Sequence, residues 1–168
     1  MKDSISPLDG RYSSYVEELL PFFSEKALMR YRVMIEIEYL ISLSKEKNFE
    51  GLSRFTKKQE ATFRKIYLNF NSVSADKIKK IERQTKHDVK AVEYYIRGKV
   101  NKSIHPWIHF ALTSEDVNNL SYTLMWRDAL SKIYIPQLKS LQVELNLLSR
   151  KYSNSAMLSM THGQAATP

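Results

Sequence analysis

From residue 113 to residue 151 the chain reads TSEDVNNLSYTLMWRDALSKIYIPQLKSLQVELNLLSRK. Apolar side chains recur along this segment at the spacing of one helix face, and hydroxyl residues precede its first acidic turn. The pattern predicts one long helix over about 115–151, capped by Thr113 or Ser114. Its apolar stripe consists of Leu120, Leu124, Ile133, Leu138, Leu141, Leu145 and Leu148.

Such a helix would be about 50 Å long at 1.5 Å per residue, which is too long for a compact domain of 168 residues to cover. We therefore expect partner helices from further polypeptide or from other subunits. Pro136 should bend the helix, because proline removes one backbone hydrogen bond and clashes with the preceding turn. The sequence divides near residue 112, between a helical domain over 1–112 and a second region over 113–168 that begins with the long helix.

The chain as a whole also favours an all-α fold, since it holds only 4 glycines and 5 prolines and little strand-like alternation. Residues 1–12 are predicted to form an irregular arm. Predicted helical segments run from about Ser13 to Pro21, from Ser24 to Lys47, from Thr56 to Phe70, from Ser74 to Ile81, from Val89 to Ile96 and from Ile104 to Leu112.

Composition limits the function. The chain has no cysteine, which removes disulfides and thiolate metal sites and fits a reducing cytoplasm. No apolar run reaches the roughly 18 residues of a membrane span, and the first residues lack the apolar core of a signal peptide. The net charge of +8 fits a nucleic-acid binder, an enzyme for an anionic substrate, or part of a chain whose acidic half lies elsewhere. The lysines are spread along the sequence, so charge alone does not decide.

Two polar clusters lie at predicted helix starts. The segment 113–119 offers free backbone N–H groups, two hydroxyls and the positive end of a helix dipole, which favour an anion; an ordinary N-cap is the alternative. The adjacent Asn118 and Asn119 lower helix propensity, which predicts that something uses these two amides. Lys86-His87-Asp88 sets a histidine beside a carboxylate, with plain capping of the next helix as the alternative.

Three further groups carry less specific signals. Arg11-Tyr12 follows an Asp-Gly turn and suits phosphate or carboxylate recognition, or forms an exposed arm. His105 and His109 have the spacing of metal ligands, but no glutamate or cysteine accompanies them, so we predict packing or capping and no metal. The segment 161–164, THGQ, places a histidine on a turn beside short polar side chains.

Four motifs occur in order: PLDGRY at 7–12, KHDVKAVEY at 86–94, HFALTSEDVNN at 109–119 and THGQ at 161–164. Together they resemble the N-terminal portion of the adenylosuccinate lyases of the aspartase/fumarase superfamily, over the whole chain. The resemblance implies an all-α N-terminal domain followed by the first long helix of a central helical bundle, in a cytoplasmic homotetramer without metal or redox cofactor. It implies the release of fumarate from adenylosuccinate, giving AMP, and from the succinylated aminoimidazole carboxamide ribotide of purine biosynthesis.

The same resemblance implies roles for particular residues. His162 would be the general acid, and His87 would support it and bind substrate. The remaining substrate-binding residues would be Arg11 and Tyr12 at the phosphate, Thr113 and Ser114 at the succinyl carboxylate, Lys86 and Asp88 in the pocket wall, and Gln164.

The chain departs from the family at two positions. Lys86 stands where the family often has asparagine, and Ala165 stands where it usually has proline. The family's serine loop, which carries the catalytic base, is not among these 168 residues, so we expect the chain to be inactive alone. The partners implied are a small succinylated purine nucleotide and other copies of the chain, with neither nucleic acid nor membrane. The alternatives are another fumarate-releasing lyase of the superfamily and a basic helical nucleic-acid-binding module.

Overall fold

The computed structural model describes residues 5–47 and 51–166, so the first four residues of the predicted arm and Pro168 lie outside it. In this part of the chain, helices dominate, as predicted, and the strands form one short hairpin. The α-helices are α1 (Leu20–Phe23), α2 (Glu25–Leu43), α3 (Lys57–Leu68), α4 (Ser72–Thr85), α5 (Asp88–Arg97), α6 (Ser114–Ala129) and α7 (Ile135–Lys151), and the strands are β1 (Ser159–Thr161) and β2 (Gln164–Ala166). Two compact units emerge, Met1–Ala129 and Leu130–Pro168.

Helix α2 is the centre of the first unit. As predicted, Ser24 caps it, with the Ser24 hydroxyl accepting a hydrogen bond from the Ala27 N–H at 3.1 Å. The helix ends at Leu43, a few residues before the predicted end. Nine of its nineteen residues are buried, and it contacts α1, α3, α4, α5 and α6. Its side chains therefore join a core to which most of the other helices of this unit contribute.

Helices α3 and α4, which pack on α2, begin with side-chain caps. The predicted capping box of α3 is present: the Thr56 N–H donates to Gln59 Oε1 at 2.9 Å, and the Gln59 N–H donates to the Thr56 hydroxyl at 3.3 Å. The predicted cap of α4 was wrong. Asn71, not Ser74, caps this helix, and Asn71 Oδ1 accepts from the Ser74 N–H at 3.0 Å. Asparagine and serine cap about equally well, so residue type alone could not fix the start.

Two segments predicted as α-helix are not α-helical. The segment after Ser13 forms two 3-10 turns, Ser13–Tyr15 and Glu17–Leu19. Pro21 then lies in the first turn of α1 and opens a helix instead of ending one, because that position needs no N–H donor. The predicted helix over 104–112 is replaced by a 3-10 segment, Lys102–Trp107, and a turn in which His109 and Ala111 have φ of 61° and 54°.

The long predicted helix is not a single regular α-helix. A π-helical turn, Leu130–Tyr134, separates α6 from α7 immediately before Pro136. Proline cannot donate to the carbonyl four residues earlier and its ring crowds that carbonyl, so the irregularity falls where the proline predicted it.

Helix α6 belongs to the first unit. It packs on α2 through Val117, Ser121, Met125 and Ala129, which repeat every fourth residue on one face. The domain boundary at residue 112 concerns the complete protein and stays a prediction.

Helix α7 is solvent-exposed along its whole length. The predicted stripe residues Leu138, Leu141, Leu145 and Leu148 are each about half exposed. The second unit thus carries an apolar helix face that the unit itself does not bury.

The end of the second unit is a hairpin that the sequence pattern did not predict. Thr161 pairs with Gln164, so only His162 and Gly163 form the connection. Both have positive φ, 52° and 76°, which is the requirement of a two-residue type I′ turn. Strands of three residues are too short to show an alternating pattern.

The corrected cap of α4 predicts a contrast between two substitutions. We expect Asn71→Ala to lower the free energy of unfolding by about 1 kcal/mol, because the Ser74 N–H loses its acceptor. Ser74→Ala should change it by less than about 0.5 kcal/mol, since alanine favours a helix interior. Urea unfolding followed by circular dichroism measures both, and the reverse order would return the cap to Ser74.

Candidate functional site

The site in the first unit is organised around a buried arginine of α2. The Arg32 side chain is 7% exposed, and its Nη2 lies 2.7 Å from Asp88 Oδ2. Its Nε donates to Asn118 Oδ1 at 2.9 Å. The guanidinium thus joins the start of α5 to the second turn of α6. This hydrogen bond confirms that the Asn118 amide is used, whereas the Asn119 side chain is exposed.

Asp88 is held as a carboxylate acceptor at the first position of α5. Its Oδ1 accepts from the Val89 N–H at 2.8 Å. Burial alone would raise the pKa of Asp88, but the Val89 N–H and the charge of Arg32 outweigh it and hold the pKa below its usual value. Asp88 and Arg32 also line a cavity of about 250 Å³ beside Tyr122.

His87 caps α5. Its Nδ1 accepts a hydrogen bond from the Lys90 N–H at 3.2 Å. A ring nitrogen that accepts carries no proton, so in this arrangement the ring proton lies on Nε2. The side chain is 51% exposed, which leaves Nε2 able to meet a ligand. The cap and the functional reading of this residue are therefore compatible.

Lys86 ends α4 in the left-handed conformation, with φ of 54°. Its backbone N–H donates to the Glu82 carbonyl at 2.8 Å. Its exposed side chain lies one residue before His87, so its predicted contact with substrate is sterically open and stays a prediction.

The start of α6 is a capping box in which aspartate takes the usual place of glutamate. The Thr113 N–H and hydroxyl donate to Asp116 Oδ2 at 2.7 and 2.8 Å, and the Asp116 N–H returns a bond to the Thr113 hydroxyl at 3.3 Å. The two Thr113 donors hold the pKa of Asp116 below its usual value. Thr113, one of the two predicted caps, therefore serves as the cap, and its only hydroxyl proton is engaged. Ser114 is half-buried in the first helical turn.

His109, in the turn before α6, pairs with Glu36 of α2, and the sequence did not predict this pair. His109 Nδ1 lies 2.6 Å from Glu36 Oε1, and the Glu36 side chain is fully buried. The hydrogen bond to Glu36 raises the pKa of His109 against the opposing effect of burial. Glu36 Oε2 has no hydrogen-bond partner among residues 5–47 and 51–166. The available signal was a pair of opposite charges, Arg32 and Glu36, set four residues apart among the apolar residues in the middle of α2.

His105, the other histidine with metal-ligand spacing, contacts a backbone carbonyl and not a carboxylate. His105 Nε2 lies 3.4 Å from the Val100 carbonyl, a contact that suits packing of the 3-10 segment. In the part of the chain that the structure describes, no group of three or more histidine, cysteine, aspartate or glutamate residues is arranged to hold a metal ion.

The remaining predicted residues lie outside this cluster of contacts. Arg11 stacks over the Tyr12 ring at 5.4 Å, and both side chains are exposed in the N-terminal arm. His162 and Gln164 are exposed residues of the hairpin in the second unit. Their roles stay predictions.

Helical packing around α2, with histidine, carboxylate and amide side chains at the starts of α5 and α6, is typical of a helical enzyme whose site is assembled from several segments. The family model described as "Lyase" matches residues 10–168, and the chain belongs to that family. The match confirms that the four motifs belong to a lyase family, and the narrower assignment that they indicated is a proposal.

Individual curated proteins also match this chain over nearly its whole length. The adenylosuccinate lyase of Legionella pneumophila (strain Corby) is 43% identical over 171 residues, which cover 99% of this chain and 38% of that protein. The adenylosuccinate lyase of Dictyostelium discoideum is 43% identical over 98% of this chain, and that of Escherichia coli (strain K12) is 38% identical over 98%. The chain spans about 38% of the length of these curated relatives.

Among residues 5–47 and 51–166, no helix combines the length and apolar character needed to cross a membrane.

The Glu36–His109 pair predicts a pH-dependent stability. The folded pKa of His109 lies above its ordinary value of about 6.5, so the contribution is complete below that value and is lost as the pH rises through the folded pKa. We expect the free energy of unfolding of the wild type to exceed that of His109→Gln by more at about pH 5.5 than at about pH 8.5. Urea unfolding at several pH values measures this difference.

The matched control is His105→Gln, because His105 bonds to a carbonyl and not to a carboxylate. Its stability difference from the wild type should lack this trend. A margin for His109→Gln that stays constant across the pH range would contradict the prediction.

Proposed function

We propose that the protein to which this chain belongs is an adenylosuccinate lyase of purine nucleotide biosynthesis. It releases fumarate from adenylosuccinate, giving AMP, and from the succinylated aminoimidazole carboxamide ribotide, giving the free carboxamide. The observation that carries the proposal is the pairing of Asp88, next to His87, with Asn118, one turn beyond Ser114, through Arg32. The similarity to relatives named adenylosuccinate lyase supports the choice of substrate.

The elimination requires three things of a site. A base removes a proton from the carbon next to one succinyl carboxylate, and the negative charge that develops there needs donors aimed at it. The carbon–nitrogen bond then breaks, and an acid protonates the departing nitrogen. We assign the acid role to His162 and a supporting, substrate-binding role to His87, whose Nε2 carries the ring proton. The base comes from polypeptide beyond this chain, so we expect the 168 residues alone to be inactive.

The start of α6 is the proposed binding place of a succinyl carboxylate. Its first-turn N–H groups and dipole favour an anion, and Ser114 adds a hydroxyl. Thr113 would contribute its backbone N–H and its hydroxyl, both of which donate to Asp116 in this structure. A substrate carboxylate must therefore replace the Asp116 side chain or bind beside it.

The other substrate contacts follow from chemistry. Arg11 is suited to the phosphate because a guanidinium matches its oxygens in two-point geometry, with Tyr12 beside it. Lys86 and Asp88 line the pocket near His87, and Gln164 contacts substrate from the hairpin. The proposed reaction uses acid, base and hydrogen-bond donors, and it includes no metal or redox cofactor.

The assembly that we propose is a cytoplasmic homotetramer in which α7 joins a bundle of long helices. The supporting observation is the apolar stripe of α7, which its own unit leaves exposed. Helices from the remaining polypeptide and from other copies would cover Leu138, Leu141, Leu145 and Leu148. The proposal includes neither a nucleic-acid partner nor a membrane.

A chimaeric enzyme tests the activity. This chain replaces the matching 38% of the Legionella pneumophila relative, and fumarate release from adenylosuccinate is followed. We expect turnover by the chimaera and none by the 168-residue chain alone. His87→Asn should lower kcat by about 100-fold or more, because asparagine can keep the helix cap but cannot exchange a proton.

The control is His105→Asn, which should retain the turnover of the chimaera. Release of fumarate from argininosuccinate, or of ammonia from aspartate, in place of adenylosuccinate cleavage would move the protein to another branch of the superfamily. Salt-sensitive binding of duplex DNA without binding of adenylosuccinate would favour the nucleic-acid-binding alternative.

A further inference from the structure

We propose that Arg32 is a positioning residue, which fixes the His87–Asp88 turn against the start of α6. The inference rests on the proposed function only in that these two segments are taken to bind one substrate. Sequence reasoning gave Arg32 no role.

The geometry supplies two independent contacts from one rigid group. Nη2 of Arg32 lies 2.7 Å from Asp88 Oδ2, and Nε donates to Asn118 Oδ1 at 2.9 Å. A guanidinium is planar, so two atoms of the same plane fix both the distance and the angle between their partners. The partners lie on α5 and α6, whereas Arg32 itself lies on the central helix α2.

Burial makes this arrangement restrictive. A charged side chain that is 7% exposed has lost most of its water and needs both partners to compensate. Arg32 lies between the buried core residues Tyr31 and Val33, and the rest of the helix is largely apolar. An apolar residue could fill the same volume without setting any angle. The charge therefore adds orientation to packing.

The two partners are direct neighbours of the proposed site. Asp88 follows His87, whose ring caps the same helix. Asn118 lies one helical turn beyond Ser114, so displacing one segment moves His87 relative to the donors at the start of α6. A misplacement of about 1 Å in a catalytic arrangement can lower the rate on the order of 100-fold.

Titration and amide spectra of the 168-residue chain test the coupling directly. In Arg32→Met we expect the pKa of Asp88 to rise toward its ordinary value and the amide signals of Val89 and Asn118 to shift. Arg32→Lys keeps the charge but cannot bond both partners in one plane, so it should restore the Asp88 titration more fully than the Asn118 signal.

The matched control is Arg64→Met. Arg64 bonds both carboxylate oxygens of Glu38, at 2.8 and 2.9 Å, and contacts no predicted site residue. Arg64→Met changes the net charge by the same amount as Arg32→Met and should leave the signals of Asp88 and Asn118 unchanged. If Arg32→Met fails to fold, Asn118→Ala removes one contact only and should still shift the Val89 amide. Unchanged signals at α5 in the folded Arg32 variants, or in Asn118→Ala, would overturn the proposal.

Kinetics of the chimaeric enzyme separate positioning from mere stability. We expect Arg32→Met to lower kcat by about 10- to 100-fold with a smaller change in KM, Arg32→Lys to recover part of the loss, and Arg64→Met to retain the rate. Equal losses in Arg32→Met and Arg64→Met would reduce Arg32 to a structural residue. A wild-type chimaera without turnover would count against the proposed function, whereas the spectra would still decide the role of Arg32.

Discussion

A charge removed from water must find a partner, and several charged residues of helix α2 pair with other segments. Arg32 meets Asp88 and Asn118, Glu36 meets His109, and Glu38 meets Arg64 and Tyr67. Glu38 is partly exposed, whereas Arg32 and Glu36 are buried and cannot be left unpaired without a large penalty. The partners of these two buried charges come from the starts of α5 and α6 and from the turn before α6. The same constraint that stabilises the core thus brings together the starts of α5 and α6 and the turn before α6.

This constraint explains which parts of the fold could be predicted. Caps such as Ser24 and Thr56 depend on hydrogen bonds within three residues, so a short sequence window contains all the information. The choice of Ser74 over Asn71 failed because both residue types cap well and only packing fixes the register. The pairs of Glu36 with His109 and of Arg32 with Asn118 span 73 and 86 residues, and local pattern reasoning has no access to such contacts.

Irregularities of the backbone likewise differ in whether a nearby residue predicts them. Pro136 predicts an irregularity in the long helix because it lacks an N–H, and the π-helical turn ends at Tyr134, two residues before it. The positive φ of Ala111 has no such marker, and that of His109 has only a weak one, because histidine enters the left-handed region more often than most residues but still rarely. The three-residue strands around His162 and Gly163 are also silent in the sequence, although glycine at the second turn position fits a type I′ turn once the pairing is known. The motifs in which the candidate site residues lie could be predicted from the sequence. The contacts of Arg32 with Asp88 and Asn118, which join two of these motifs, could not.

At the start of α6, the structural cap and the proposed anion site use the same donors. Asp116 places a carboxylate oxygen on the Thr113 N–H and hydroxyl, which is the chemistry that a succinyl carboxylate would present. Because Asp116 is exposed, its bonds compete with water and its hold on these donors is weak. Under the proposed function, an incoming carboxylate that brings further contacts through its nucleotide can therefore displace it, and the displaced aspartate still lies near the positive end of the helix dipole. A capping box with an aspartate at this position would then keep the helix start ordered until the proposed substrate binds.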